Sequence, residues 1–104
     1  MDAAKQAKLE AAGWRIGSAE EFLGLSAEEG ELVEVRLRLS RALHGERERR
    51  HVTQAVLAKK LGSSQSRVAK IEAGDPSVSL DLMVRALLTL GASRRELAEW
   101  LTAA

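Results

Sequence analysis

Hydrophobic positions between residues 53 and 72 follow the spacing of two short helices joined at a glycine. Leu57 and Leu61 mark the first helix, and Val68 and Ile71 lie three apart in the second. The remaining positions of the second helix are mostly polar. This segment therefore predicts two helices that bury one face each, with a polar face left over.

The residues that flank these two helices suit helix ends. Thr53 and Ser64 stand where N-caps belong, and Gly62 is a natural residue after a helix end because glycine adopts positive φ at little cost. Ala58 is small where a crossing helix must come close. A tight glycine turn, a small crossing residue and a polar outward helix are what a helix-turn-helix requires.

Helices are also predicted on both sides of this segment, and no strand pattern of convincing length occurs. The capping box Ser26–Glu29 opens the longest helix, about 27 to 49. Ser79 caps a helix over 80–90, and a capping box at Ser93 opens the last helix. The expected core stripes are Leu32, Val35 or Arg36, Leu39 and Leu43 in the longest helix, Leu80, Met83, Val84, Leu87 and Leu90 in helix 80–90, and Leu97, Trp100 and Leu101 in the last.

About thirty residues precede these helices. Residues 3–12 favour a short helix, and a capping box at Ser18 followed by Phe22 favours one or two further turns. Trp14 lies in the connector between them, either as an anchor on the helical body or as an exposed partner contact. We expect a helical extension over residues 1–30 and the main domain over 31–104.

Charge is unevenly distributed along the 104 residues, although the whole chain carries only +1. Residues 1–34 hold three basic and eight acidic side chains, a net charge of −5. Residues 35–75 hold ten basic and four acidic side chains, a net charge of +6. The basic segment contains the helix-turn-helix, and a positive field suits a phosphate-binding face.

Composition favours a binding protein over an enzyme. The chain has no cysteine, no phosphate-cradling glycine loop and no nucleophile elbow. His44 and His51 are seven residues apart, too far for a metal pair on one helix face, and neither has an evident carboxylate partner. We expect no cofactor and no metal. The sequence has no signal peptide and no apolar run of membrane-spanning length, so a cytoplasmic protein is expected.

The helix-turn-helix segment resembles the phage-repressor-like (XRE) family. The resemblance covers about residues 32–101 and implies an all-α, lambda-repressor-like five-helix DNA-binding domain with a short N-terminal helical extension. Ser63 departs from the apolar residue usual after the turn glycine. The matching positions are Gln54, Leu57-Ala58, Leu61-Gly62, Val68, Ile71-Glu72, Ala73-Gly74 and Ser79 to Gly91.

The recognition helix is expected over 65–72, with its first residues in the major groove. Gln65 can bond bidentately to adenine, and Arg67 can do so to guanine. Ser66 is expected on a base or a phosphate, and Lys70 on a base or the backbone. By resemblance, Gln65 and Ser66 are the best-matched of these positions.

Other polar residues are expected to hold the DNA backbone. Gln54 resembles the family's phosphate-clamping glutamine, aided by the positive end of a helix dipole. Ser64, Ser77 and Ser79 are candidate phosphate donors. The run Glu46–Arg50 is either a solvated helix end or a further phosphate contact.

Partners are implied by the resemblance and by the acidic N-terminal third. Such domains bind palindromic double-stranded DNA as homodimers, and Leu97, Trp100 and Leu101 either form that interface or close the monomer core. An acidic extension resembles a HigA-type antitoxin, which neutralises a small basic RelE/ParE-type ribonuclease toxin, with Trp14 and Phe22 as partner contacts. The alternatives are a stand-alone transcriptional regulator and an interaction module that does not bind DNA.

Overall fold

Five helices make up most of the part of the chain that the structure, a computed structural model, describes, which is residues 24–102. No strand occurs in this part, so the predicted all-α, five-helix architecture is confirmed. The expectations for residues 1–23, which include Trp14 and Phe22, lie outside the described residues. The helices are α1 (Ala27–Arg49), α2 (Gln54–Leu61), α3 (Gln65–Glu72), α4 (Leu80–Leu90) and α5 (Arg94–Thr102).

Contacts divide the chain into two units, Met1–Val35 and Arg36–Ala104, and α1 spans the division. The described part of the first unit contains the predicted capping box. The Ser26 N–H donates to Glu29 Oε1 at 3.2 Å, and the Glu29 N–H donates to Ser26 Oγ at 3.2 Å. Leu32 was expected in the core but is 42% exposed. Helical spacing identifies an apolar face, but it does not say whether anything covers that face.

The core of the second unit takes apolar residues from α1 to α4. Within this unit α2 packs against α3 and α4. Leu80 and Val84, expected in the α4 stripe, are only half-buried, and the small Ala86 is fully buried instead. The buried residues are Leu39, Leu43, Leu57, Ala58, Val68, Ile71, Val78, Met83, Ala86, Leu87, Leu90 and Ala92.

After each of the helices α1 to α4, a residue in the left-handed conformation closes the last turn. Gly62 does this after α2 with φ 72°, as predicted. α3 ends at Glu72, as predicted, and Gly74 has φ 71° while the Asp75 N–H donates to the Lys70 carbonyl at 3.1 Å. A left-handed glycine therefore follows the end of this helix as well.

α1 ends without a glycine. It passes through Gly45 and continues to Arg49, as the predicted range of about 27 to 49 requires. His51 takes the left-handed position with φ 54°, and the Val52 N–H donates to the Arg47 carbonyl at 2.9 Å. Among residues 24–102, no helix is long and apolar enough to cross a bilayer.

Candidate nucleic-acid interface

The α2-turn-α3 segment has the geometry that its sequence predicts. Thr53 Oγ1 accepts from the Val56 N–H at 3.1 Å, and Ser64 Oγ accepts from the Arg67 N–H at 3.2 Å. These caps fix where each helix begins, because they satisfy backbone donors of the first turn. Ser63, the departure from the family pattern, is half-buried and donates its N–H to the Ala58 carbonyl at 2.8 Å. The turn is therefore closed without an apolar residue there.

The outward face of α3 carries the residues predicted to read DNA. Gln65, Ser66, Arg67 and Lys70 are all exposed, whereas Val68 and Ile71 on the opposite face are fully buried. The side chains of Gln65, Arg67 and Lys70 form no hydrogen bond with any other residue in the described part of the chain. Ser66 Oγ lies 3.2 Å from Ser64 Oγ. This face therefore keeps its long polar side chains available to a ligand.

A buried carboxylate at the end of α3 holds three helices together. Glu72 is 6% exposed at its side chain, and its two oxygens accept from Arg47 Nε at 2.6 Å and Nη2 at 3.0 Å. Gln54 Nε2, at the start of α2, lies 3.4 Å from Glu72 Oε1. The glutamine expected to clamp phosphate is thus positioned from inside the protein by the recognition helix.

The partners of the Glu72 carboxylate determine its pKa. Burial acts to raise the pKa of Glu72, but hydrogen bonds from Arg47, His44 and Gln54 outweigh it, so the pKa is lowered from its usual value. The hydrogen bond that Arg47 donates to Glu72 is also the main cause that raises the pKa of Arg47. Both groups therefore remain ionised at neutral pH.

His44 has carboxylate partners that were not expected. Its Nδ1 lies 2.8 Å from Glu72 Oε1, and its Nε2 lies 3.0 Å from Glu48 Oε1. The expectation that neither histidine has a carboxylate partner is therefore wrong for His44. One of these carboxylates lies 28 residues away along the chain, so no local pattern could indicate it. In the described part of the chain, no group of three or more His, Asp or Glu side chains could hold a metal ion.

The charged run 46–50 forms ion pairs within the protein. Arg49 Nη2 and Arg50 Nε lie 2.6 and 3.1 Å from Glu46 Oε2, and the Arg49 hydrogen bond is the main cause that lowers the pKa of Glu46. Arg47 also donates to the Val52 carbonyl at 3.0 Å. These arginines hold the end of α1 together.

Two arginines of α1 point inward rather than outward. Arg36, predicted from the sequence as an alternative to Val35 in the core stripe, and Arg38 are both half-buried. Arg36 donates to the Val78 carbonyl, and Arg38 Nη1 donates to the Trp100 carbonyl at 3.3 Å. Long arginine side chains can bury their stems while the guanidinium reaches a carbonyl, which a simple helical projection does not reveal.

The loop after α3 already contains an anion. Asp75 Oδ1 accepts from the Ser77 N–H at 2.8 Å, so Ser77, an expected phosphate donor, has its amide engaged. Ser79, a further candidate donor, caps α4 by accepting from the Leu82 N–H at 3.1 Å. The hydroxyls of Ser77 and Ser79 lie on exposed residues.

α5 begins at the predicted capping box and carries the candidate dimer residues. The Ser93 N–H donates to Glu96 Oε1 at 3.0 Å, and the Glu96 N–H donates to Ser93 Oγ at 3.1 Å. Leu97 and Trp100 are half-buried, and Leu101 is 41% exposed. These residues are partly packed and partly accessible, which is compatible with both roles considered for them.

From the sequence, Glu72 was named only as a position that matches the family, Arg47 only as part of the run 46–50, and Asp75 was given no role. For Glu72 a signal was present, because it lies four residues after Val68 on the buried side of α3. A carboxylate on an apolar face requires a cationic or hydrogen-bonding partner. Which of the many arginines supplies it follows only from the tertiary structure.

Two crossed helices, a left-handed glycine turn and an exposed polar second helix define a helix-turn-helix protein. The chain belongs to the helix-turn-helix domain family, whose model matches residues 38–100, from within α1 to within α5. No curated protein and no solved structure matches the chain.

Proposed function

We propose that the protein is a sequence-specific, DNA-binding transcriptional repressor of the XRE type. The observation that carries this proposal is the outward face of α3. Gln65 and Arg67 are exposed there, on a short helix whose start is fixed by the Ser64 cap. Glutamine and arginine are the side chains that pair bidentately with adenine and guanine in the major groove. Base readout needs such side chains on a rigid element, because side chains on a flexible segment discriminate less well between base pairs.

Charge around the motif supports DNA as the ligand. The side chains of Lys59, Lys60 and Arg67 are exposed and form no hydrogen bond or ion pair with other residues between 24 and 102. The acids nearest in sequence have partners, with Glu48 on His44 and Glu72 on Arg47. The motif therefore presents cations whose charge is not internally neutralised, and these attract a phosphate backbone.

Binding as a two-fold dimer on a palindrome follows from the size of the motif. One recognition helix covers only a half-site, and two copies about one helical turn apart would read a complete operator. We place the dimer contact on α5, where Leu101 and the half-buried Leu97 and Trp100 are accessible.

We further propose that the protein is the antitoxin of a type II toxin-antitoxin pair and represses its own operon. The support is the charge of residues 1–34, which is −5, against +6 for residues 35–75. An acidic segment suits a basic, RNA-binding ribonuclease of the RelE/ParE type, because complementary charge steers association. The alternative is a stand-alone regulator, in which the acidic segment has no toxin to bind.

The first experiment selects duplexes from a random DNA pool with the full-length protein and compares Gln65→Ala with the wild type. We expect Gln65→Ala to lose about 1–3 kcal/mol on the selected duplex and to relax preference at one base pair. Lys60→Ala is the control, and we expect it to weaken selected and shuffled duplexes alike. Equal losses for Gln65→Ala on both duplexes would show that this residue does not read bases.

The toxin proposal needs a separate experiment. The tagged full-length chain is recovered from its native host after nuclease treatment, so that DNA cannot bridge unrelated proteins. A small basic protein encoded beside this gene and held stoichiometrically would support the antitoxin. Recovery of the chain alone, still dimeric and still bound to its own upstream DNA, would favour the stand-alone regulator.

A further inference from the structure

Asp75 lies at the point where the recognition helix gives way to the following loop. Its N–H donates to the carbonyl of Lys70 at 3.1 Å, which ties it to the last turn of α3. Its Oδ1 accepts from the Ser77 N–H at 2.8 Å, which fixes the direction of the carboxylate. Asp75 is therefore held rigidly beside two residues that are predicted to contact DNA.

The charge of Asp75 is maintained by these same neighbours. Hydrogen bonds from the backbone and side chain of Ser77 lower the pKa of Asp75, and the positive charge of Lys70 lowers it further. The carboxylate is consequently an anion at any pH near neutrality. It binds the Ser77 backbone N–H and reduces the positive field of Lys70 in the absence of DNA.

A phosphate that reaches this loop would meet an anion already in place. A phosphate oxygen bonded to the Ser77 hydroxyl would lie about 6–8 Å from the Asp75 carboxylate, since one hydrogen bond at the Ser77 hydroxyl, one at its N–H and the distance between these two groups separate them. Like charges at that separation weaken binding by about three- to tenfold when the effective dielectric constant is about 40–60. The Asp75 charge therefore weakens the attraction that the neighbouring cations exert on phosphate.

We propose that Asp75 is an internal competitor of DNA phosphate: its carboxylate binds the Ser77 backbone N–H, opposes the positive charge of Lys70 and so limits the affinity of the protein for the DNA backbone. This inference rests on the proposed DNA-binding function. It assigns Asp75 a role on affinity and none on base preference, because the carboxylate faces the loop donors and not the exposed side chains at the start of α3.

The alternative is a purely structural role, in which Asp75 only fixes the loop conformation through its bond to the Ser77 N–H. Asparagine separates the two roles, because its side-chain oxygen accepts the same hydrogen bond without a charge. Asp75→Ser is a second neutral variant that can also form this type of turn. The control for net charge is Glu31→Gln, which removes one exposed acid on α1, outside both the helix-turn-helix and the proposed dimer helix.

The experiment measures dissociation constants by fluorescence anisotropy for two probes, a duplex selected from a random pool and a shuffled duplex, over a range of salt. We expect Asp75→Asn to bind both duplexes about three- to tenfold more tightly at low salt. The salt dependence should steepen by up to about 0.9 in slope, which corresponds to one more neutralised phosphate. Glu31→Gln should match the wild type within about twofold, because an exposed charge outside the helix-turn-helix is screened.

The outcomes separate this inference from the function on which it rests. If the wild type prefers its selected duplex but both Asp75 variants bind as the wild type does, the competitor role is wrong and the DNA-binding function stands. A gain by Glu31→Gln equal to that of Asp75→Asn would also overturn it, since net charge alone would then explain the effect. If none of the proteins binds either duplex, both proposals fail.

Discussion

The Glu72 carboxylate binds the Arg47 guanidinium through two hydrogen bonds, which joins the recognition helix α3 to the end of α1. The same carboxylate lies 3.4 Å from the amide nitrogen of Gln54 at the start of α2. The side chains of Glu72 and Arg47 are only 6% and 13% exposed. One buried anion therefore fixes the relative positions of three helix ends next to the predicted DNA-binding face.

Removal of Glu72 should destabilise the protein more than an ordinary surface substitution would. Glu72→Ala leaves the Arg47 charge buried without its partner, and we expect a loss of about 2–4 kcal/mol in the free energy of unfolding. Glu72→Gln keeps a hydrogen-bond acceptor and should lose less. Urea denaturation measures both variants, and an equal, small effect of the two would show that the ion pair contributes little.

Acid should weaken this link in a defined direction. The pKa of Glu72 is lowered in the folded state. Its contribution to stability is therefore fully present above the unfolded-state pKa, about 4.3, and is lost as the pH falls through the lower folded value.

The measurement for this second prediction is the difference in unfolding free energy between the wild type and Glu72→Gln as a function of pH. We expect it to be constant from about pH 7 to about pH 5.5 and to shrink below about pH 4.5. A difference that stays constant down to pH 3 would contradict the assigned role of this carboxylate.

The sequence predicts the local features of the motif but not the contacts that join its helices. Thr53 and Ser64 cap helices through bonds to residues three positions away, so a short window contains all the information. The partners Arg47 and Glu72 are 25 residues apart, and nothing local selects Arg47 from the neighbouring arginines. The bond from the Ser77 N–H to Asp75 spans only two residues, so it is a local turn that the sequence could have indicated.

Glycine gives opposite predictions at two positions. Gly45 lies inside α1, and an added Cβ there would meet no atom within 4 Å. We expect Gly45→Ala to stabilise the protein by about 0.5–1 kcal/mol, because alanine loses less backbone entropy on helix formation. Thermal unfolding followed by circular dichroism measures this change.

The matched control for Gly45 is Gly62, whose added Cβ is equally free of contacts but whose φ is 72°. Gly62→Ala should destabilise the protein by about 1 kcal/mol, since an L side chain is strained in the left-handed region. If the two alanines shift stability in the same direction, backbone conformation is not what separates these glycines.

His51 offers the reverse substitution. It occupies the left-handed position after α1 with φ 54°, where α2 and α4 use Gly62 and Gly91. His51 is exposed, and its side chain makes no hydrogen bond to the residues between 24 and 102.

Glycine at position 51 would relieve the strain of a Cβ in this region, although glycine also gains freedom in the unfolded chain. We therefore expect His51→Gly to raise the free energy of unfolding by about 0.5–1 kcal/mol. His51→Val, which is β-branched and poorly suited to positive φ, should lower it by more. Urea unfolding of the three proteins tests this order, and a less stable His51→Gly variant would show that the imidazole contributes something at the end of α1 that outweighs its backbone strain.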